Sequence, residues 1–145
     1  ISGDEYKKYQ FIVVLGRAKQ NVEKLLEYNE YENIKVMYDV SNMPELMSSC
    51  DIGITSRGRT GYELAMLGIP SISMAQNQRE EKHGFVCNEN GFSYIGLNPD
   101  DEVIKGTLDL YLKMSQKGRQ HYQDMLLKHD LRNGRTRVMN LIKSL

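Results

Sequence analysis

Several common starting points for a functional reading are missing from this chain of 145 residues. Cysteine is scarce. Cys50 and Cys87 stand alone, with no Cys-x-x-Cys spacing and no histidine pair nearby, so they read as reduced core or surface thiols rather than a disulfide framework or zinc site. No apolar run approaches the ~20 residues that a membrane-spanning helix needs, and no secretory signal pattern is present. A cytoplasmic location is the expectation. Nineteen basic and nineteen acidic residues cancel, so no global field draws the chain to nucleic acid or an anionic membrane. Anion recognition has to be local. Neither Gly-x-Gly-x-x-Gly nor the P-loop pattern occurs, which argues against NAD and P-loop chemistry. No Ser/His/Asp, Cys/His, paired-carboxylate or metal-ligand set is connected by spacing, so no catalytic residue, metal or cofactor is expected. His83 is chemically suited to act as a general base, but a lone histidine in a helical run is more often structural. His121 and His129 read as surface or packing residues.

What is present is a β/α alternation. Phe11-Ile12-Val13-Val14-Leu15, closed by Gly16, has the continuous apolar character of a parallel strand covered on both faces. Residues 19–31 carry Val22, Leu25 and Leu26 at helical spacing, and 34–40 read as a second strand nearer a sheet edge. Ser41-Asn42 before Pro44 predicts a short helix over 43–49. A third strand follows at 51–55. A helix runs from Thr60 to a glycine cap at Gly68, and Ile69-Pro70 leads into a fourth strand, Ser71-Ile72-Ser73-Met74-Ala75. A helix over 79–89, a fifth strand at 92–97 and three closing helices complete the pattern. The first of these carries Ile104, Leu108, Tyr111 and Leu112 and runs to about residue 117; the last carries Val138, Leu141, Ile142 and Leu145 as an apolar stripe. The alternation predicts an α/β, Rossmann-like, doubly wound parallel sheet of about five strands with a helical tail, in one domain over 1–145.

The stretch Thr55-Ser56-Arg57-Gly58-Arg59-Thr60-Gly61-Tyr62-Glu63 joins the third strand to its helix. Open α/β sheets place ligands at this end of their strands. Glycines and arginines ahead of a helix offer backbone N–H groups, a positive helix end and guanidinium forks, the outline of an anion site. Glu63 is placed to accept hydrogen bonds from ribose hydroxyls, and phosphate with ribose means a nucleotide. Two other readings stand beside this one. Thr60-x-x-Glu63 is also a capping box that would satisfy the helix end without a ligand. Arg57 and Arg59 are also the sort of loop residues that simply remain solvated. Gln76-Asn77-Gln78 at the end of the fourth strand suits sugar hydroxyls or a pyrophosphate rim, and equally suits helix capping.

Val13-Val14-Leu15-Gly16, Asn42-Met43-Pro44-Glu45-Leu46-Met47, Asp51-Ile52-Gly53-Ile54, the 58–63 loop, Gly68-Ile69-Pro70 and Asn77-Gln78 occur together, with Asn133-Gly134-Arg135-Thr136-Arg137 near the end. In this order they resemble the C-terminal half of the GT-B-type family that contains the pseudaminic-acid-pathway UDP-sugar hydrolase, a spore-coat polysaccharide protein and, more distantly, the MurG glycosyltransferase. Ser56-Arg57-Gly58-Arg59-Thr60 with Ala75-Gln76-Asn77-Gln78-Arg79-Glu80 is also similar to the domain fused behind acylneuraminate cytidylyltransferases. The resemblance implies a nucleotide-sugar-binding domain in nonulosonic-acid or surface-polysaccharide synthesis, or alternatively a non-catalytic assembly or sensing module on a cytidylyltransferase. It implies that Gly58, Arg59 and Thr60 lie near the phosphates, Glu63 on the ribose, and Asn77 and Gln78 toward phosphates or sugar; Ser56 and Arg57 complete the candidate nucleotide- and phosphate-binding set, with Arg57 placed either to add a phosphate contact or to block close approach of the backbone. The implied partners are a UDP- or CMP-type nucleotide or nucleotide sugar and an N-terminal domain of the same protein, with an oligomer allowed. That N-terminal half carries the hydrolases' catalytic histidine, so no turnover is expected of this chain alone. Two departures stand out. Arg57 and Arg59 flank a single Gly58 where the hydrolases show a Gly-Gly-Ser type loop, and the helix ahead of the first strand is missing, so the first βα unit is expected to be truncated.

Overall fold

The computed structural model describes residues 1–145. Backbone packing divides the chain into two compact units, Ile1–Met43 and Pro44–Leu145.

In the first unit β1 (Phe11–Leu15) and β2 (Ile34–Tyr38) pair in parallel from Phe11↔Ile34 to Leu15↔Tyr38. Leu15, Ile34 and Val36 are buried, with Phe11, Val13, Val22 and Leu25 packed against them. The partial alternation expected of β2 is present over its first three residues, with Ile34 and Val36 inside and Lys35 exposed, and lapses at Tyr38, which is exposed although it shares their face. β1 is less covered than its apolar run implies, because Ile12 keeps 37% exposure. The helix expected over 19–31 is also shorter: α1 spans Val22–Leu26 and continues as a 3-10 turn, Glu27–Glu30. The cause is Asn29. Its carboxamide accepts from the Val36 N–H at 2.7 Å and donates to the Val36 carbonyl at 3.3 Å, drawing the last turn onto β2.

The second unit holds α2 (Met43–Ser48, which begins at the boundary), β3 (Gly53–Ser56), α3 (Arg59–Leu67), β4 (Ser71–Ala75), α4 (Gln78–Glu81), β5 (Phe92–Leu97), α5 (Asp101–Leu112), α6 (Gln116–Leu127) and α7 (Gly134–Lys143). β3, β4 and β5 form a parallel ladder in that order, with a register shift between Ser73 and Ala75 against β5. Parallel pairing joined through helices is the α/β architecture expected from the sequence. Ala65, Val86, Phe92 and Leu126 form the core, flanked by Phe85 and Leu131.

Gly68 closes α3 as expected, at φ 68°, with the Gly68 and Ile69 N–H groups donating to Ala65 and Leu64 carbonyls. An L side chain is disfavoured in that left-handed conformation. The helix expected over 79–89 is instead the single turn α4, followed by an irregular stretch and a 3-10 turn, Asn88–Asn90. Two asparagine side chains account for the break. Asn90 Nδ2 donates to the Phe85 carbonyl at 2.8 Å, and Asn88 Oδ1 accepts from the Tyr94 N–H at 2.8 Å. His83 therefore sits in an exposed turn rather than on a helix. The helical tail breaks earlier than the apolar pattern suggests, because Ser115 caps α6 by accepting from the Gly118 N–H at 3.1 Å. On α7 the expected stripe is exposed, with Val138 at 55%, Leu141 at 67% and Ile142 at 58%.

Tyr111 ties α5 to the sheet. Only 2% of it is exposed, and its hydroxyl donates toward the Ser93 hydroxyl at 2.8 Å and the Ser71 carbonyl at 3.3 Å. Burial pushes its pKa up to about 12 from 10.0. A raised value in the folded state makes its stabilisation complete below pH 10.0 and lost as pH climbs toward about 12. Tyr111→Phe should lower stability at neutral pH by about 1 kcal/mol. It should also flatten the alkaline loss of stability in that window, as read from urea unfolding across pH.

Candidate functional site

The segments that carry the eight residues singled out from the sequence follow the carboxyl ends of β3 and β4, neighbours in the β3–β4–β5 ladder. Ser56 ends β3 and pairs in register with Met74. Residues 56–60 therefore leave the sheet beside the end of β4, from which Asn77 and Gln78 follow. This is the carboxyl edge, where open parallel sheets leave a crevice.

The loop is tightly drawn. The Arg57 N–H donates to the Met74 carbonyl at 2.8 Å, extending the ladder by one bond, and the Gly58 N–H donates to the Ser56 carbonyl at 2.8 Å. Gly58 is the N-cap of α3, with φ −140° and ψ −159°, and no side chain caps the helix. That extended backbone is open to any residue. A Cβ at Gly58 would meet only Ser56 Oγ, at 3.5 Å, so the space over the helix start is open. The capping-box alternative for Thr60-x-x-Glu63 is not realised: with Gly58 as N-cap, Thr60 already lies in the first helical turn and Glu63 in the second. Both side chains are left for other roles. Glu63 and Arg59 are exposed, and Thr60 is half-buried.

The two arginines differ. Arg57 turns inward, with its guanidinium carbon 4.1 Å from the Tyr94 ring centroid and Nη1 donating to the Glu81 carbonyl at 3.0 Å. The Tyr94 hydroxyl donates to Glu81 Oε1 at 3.0 Å. Burial first, and then the Glu81 carboxylate, push the Tyr94 phenol above its ordinary range, with Arg57 pulling the other way. Tyr94 and Glu81 were not visible as partners in the sequence, because they stand on β5 and α4 with no motif linking them to the loop.

Asn77 serves α4. Its Oδ1 accepts from the Glu80 N–H at 3.0 Å, while a Glu80 carboxylate oxygen accepts from the Gln76 N–H at 2.9 Å. The capping option is thus realised at Asn77, with Nδ2 turned to neither of these bonds. Gln78 is exposed in the first turn of α4.

Other reactive side chains lie elsewhere. Burial and the neighbouring Glu89 raise the Cys87 thiol, the reverse of what an activated nucleophile needs. His129 packs edge-on against Phe85 at 5.1 Å. A cleft of about 380 Å³ opens at the opposite ends of β3 and β4, lined by Asp51, Ile69, Pro70, Gln116, Arg119 and Gln120, among others. It shares no residue with the loop. No helix is long and apolar enough to cross a membrane.

The fold is similar to that in a crystal structure of Anabaena Alr3699/HepE in complex with UDP-glucose, with a TM-score of 0.65 and 18% identity, covering 98% of this chain and 44% of that one. The likeness shows a GT-B-like, Rossmann-like α/β fold. In sequence, 80 residues are 34% identical to the uncharacterized protein MJ1062 of Methanocaldococcus jannaschii, covering 52% of this chain and 16% of that protein. Ninety residues are 30% identical to the UDP-N-acetylglucosamine–N-acetylmuramyl-(pentapeptide) pyrophosphoryl-undecaprenol N-acetylglucosamine transferase of Halalkalibacterium halodurans, covering 57% of this chain and 25% of that enzyme. The matched part is a quarter or less of either relative. Residues 4–131 match the family described as a protein of unknown function (DUF354), and the chain belongs to that family.

Proposed function

We propose that this chain is a nucleotide-sugar-binding domain of a GT-B-like glycosyltransferase or UDP-sugar hydrolase that serves nonulosonic-acid or surface-polysaccharide synthesis. The observation that carries the reading is the start of α3, which no side chain caps and over which Gly58 leaves open space at the carboxyl edge of the sheet. Backbone N–H groups there, with the helix dipole and the Arg59 guanidinium, suit a diphosphate. Glu63, one turn along, accepts from the ribose hydroxyls. Ser56 and Thr60 supply hydroxyls to the phosphates, and Gln78 with the Asn77 Nδ2 group faces the sugar end. The similarity to a protein crystallised with UDP-glucose, and to an N-acetylglucosamine transferase, supports a uridine diphosphate sugar. Binding is the role assigned to this chain. Turnover belongs with groups contributed by another part of the protein.

Calorimetric titration with UDP, CMP, UDP-N-acetylglucosamine and CMP-sialic acid tests the proposal. Saturable binding of the uridine ligands is expected. Glu63→Ala should weaken it about tenfold to a hundredfold, the worth of hydrogen bonds to a charged acceptor, with no change in melting temperature because Glu63 is exposed. Unchanged affinity in that variant would sink the assignment of Glu63.

One observation favours the second reading, a non-catalytic assembly or sensing module on a cytidylyltransferase. Arg57 and the Asn77 carboxamide oxygen are engaged in contacts within the protein. As an assembly module the folded chain binds none of the four ligands, as a sensing module it binds one without supporting turnover, and in either form deleting it leaves the catalytic activity of the full-length protein unchanged.

A further inference from the structure

The two arginines of the loop have separate tasks, and the task of Arg57 lies inside the protein. We infer that Arg57 is a positioning residue, a strut that holds the 56–60 loop in register with the segment carrying Gln78, while of the two arginines only Arg59 meets the anion. The inference rests on the nucleotide-sugar reading of this site and assigns a role within it.

Two contacts converge on the Arg57 guanidinium, and a backbone bond anchors its residue. The Arg57 backbone is anchored to β4 through the Met74 carbonyl at 2.8 Å. Its side chain lies across the Tyr94 ring on β5 at 4.1 Å, and Nη1 donates to the carbonyl of Glu81, the last residue of α4, at 3.0 Å. Tyr94 closes the triangle through its hydroxyl to the Glu81 carboxylate at 3.0 Å. The β3–α3 loop, α4 and β5 are thus joined by a planar cation that stacks and donates at once. A lysine ammonium has no planar face with which to stack while donating from its edge. Meanwhile Arg57 Nε is buried with no hydrogen-bond partner. An unsatisfied buried donor works against stability, so packing alone does not account for an arginine here. Its geometry does one thing that a smaller side chain would not: it fixes the spacing between the loop that starts α3 and the turn that carries Gln78. Arg59 has no such engagement and is exposed at the first position of α3.

The test combines amide hydrogen exchange with affinity, on the 145-residue chain and its variants. Arg57→Ala and Tyr94→Ala should each speed exchange across both 56–60 and 78–91 while leaving α5 and α6 unchanged. Each should weaken uridine and UDP by the same factor, about tenfold, as loss of a partly desolvated cation–π contact allows. The double variant should be no weaker than the weaker single one, because the two side chains act as a unit. Arg59→Ala should instead weaken UDP far more than uridine. Tyr94→Phe keeps the stacking face and should hold affinity within about twofold, whereas Arg57→Lys should not rescue. These two conservative variants decide the matter if the alanine forms do not fold. A merely stabilising residue would lower the melting temperature without this pattern in affinity.

Exchange confined to 56–60 would overturn the strut. So would a loss at Arg57→Ala that grows from uridine to UDP with Tyr94→Ala unaffected, which would make Arg57 a direct phosphate contact. Should the native chain bind neither uridine nor UDP, the nucleotide reading falls, and exchange across 78–91 alone decides whether Arg57 couples the two segments.

Discussion

Phe92→Ala is expected to lower the free energy of unfolding by about 3–5 kcal/mol, the cost of removing a buried aromatic ring and leaving its cavity. Domains of this size are stable by only ~5–15 kcal/mol, so the variant should stand close to unfolding. Phe92 is 1% exposed, opens β5 and pairs with Ser71 of the central strand. It shares the core with Ala65 of α3, Val86 and Leu126 of α6. Its ring meets Phe85 edge-on at 5.9 Å, and Phe85 in turn stacks on Tyr62 of α3 at 4.5 Å. Loss of the ring therefore loosens the seat of α3 from below, and with it the loop at the start of that helix. Urea unfolding checks the magnitude: the midpoint should fall sharply with little change in slope. Phe92→Leu, which refills most of the volume, should cost less than about 1.5 kcal/mol. If both substitutions cost the same, cavity formation is not what Phe92 prevents.

The strands of this fold were legible because each is a short apolar or β-branched run with turn residues at its ends. β1, β4 and β5 occupy the residues that their side chains suggest. Gly68 announced the end of α3 through a conformation that glycine accepts without strain. The stretch after α4 was not legible in the same way. Phe85 and Val86 fit a helical period, but the bonds that decide the matter run from Asn88 and Asn90 side chains to backbone groups, one of them on β5. A periodic pattern does not register such a competition.

The loop shows the same divide. Its place at the carboxyl edge followed from the order of strand, turn and helix. The choice between a capped and an open helix start depended on whether Thr60 or Gly58 is the N-cap, a difference of two residues that local propensity does not resolve. Arg57 and Arg59 are equivalent in sequence and unlike in space. What separates them is Tyr94, which the ladder brings beneath the loop through the pairing of Ser73 with Tyr94.

Gly61→Val is expected to destabilise the chain by about 2–3 kcal/mol, with a fall in melting temperature on the order of 10 °C. A glycine in a helix ordinarily costs about 1 kcal/mol relative to alanine, so its presence in the first turn of α3 calls for a reason. The reason is contact. A Cβ at residue 61 would lie 2.5 Å from Val86 Cγ2, and Val86 is wholly buried in the core cluster. Neither side can give way cheaply in a close-packed interior. Gly61→Ala sets the helical gain against the same clash and should be milder, whereas valine adds two methyl groups to the contact. Truncating the opposing residue separates the causes. Val86→Ala alone should destabilise through a cavity, and in the Gly61→Ala background the new methyl should fill part of that space, so the double variant should lose less than the sum of the two. Strict additivity would mean that residues 61 and 86 do not press on each other. On the proposed function a binding consequence follows from position: the clash displaces the turn that carries Arg59 and Thr60, so Gly61→Val should weaken the proposed binding of UDP more than Phe92→Leu, a core change outside that turn.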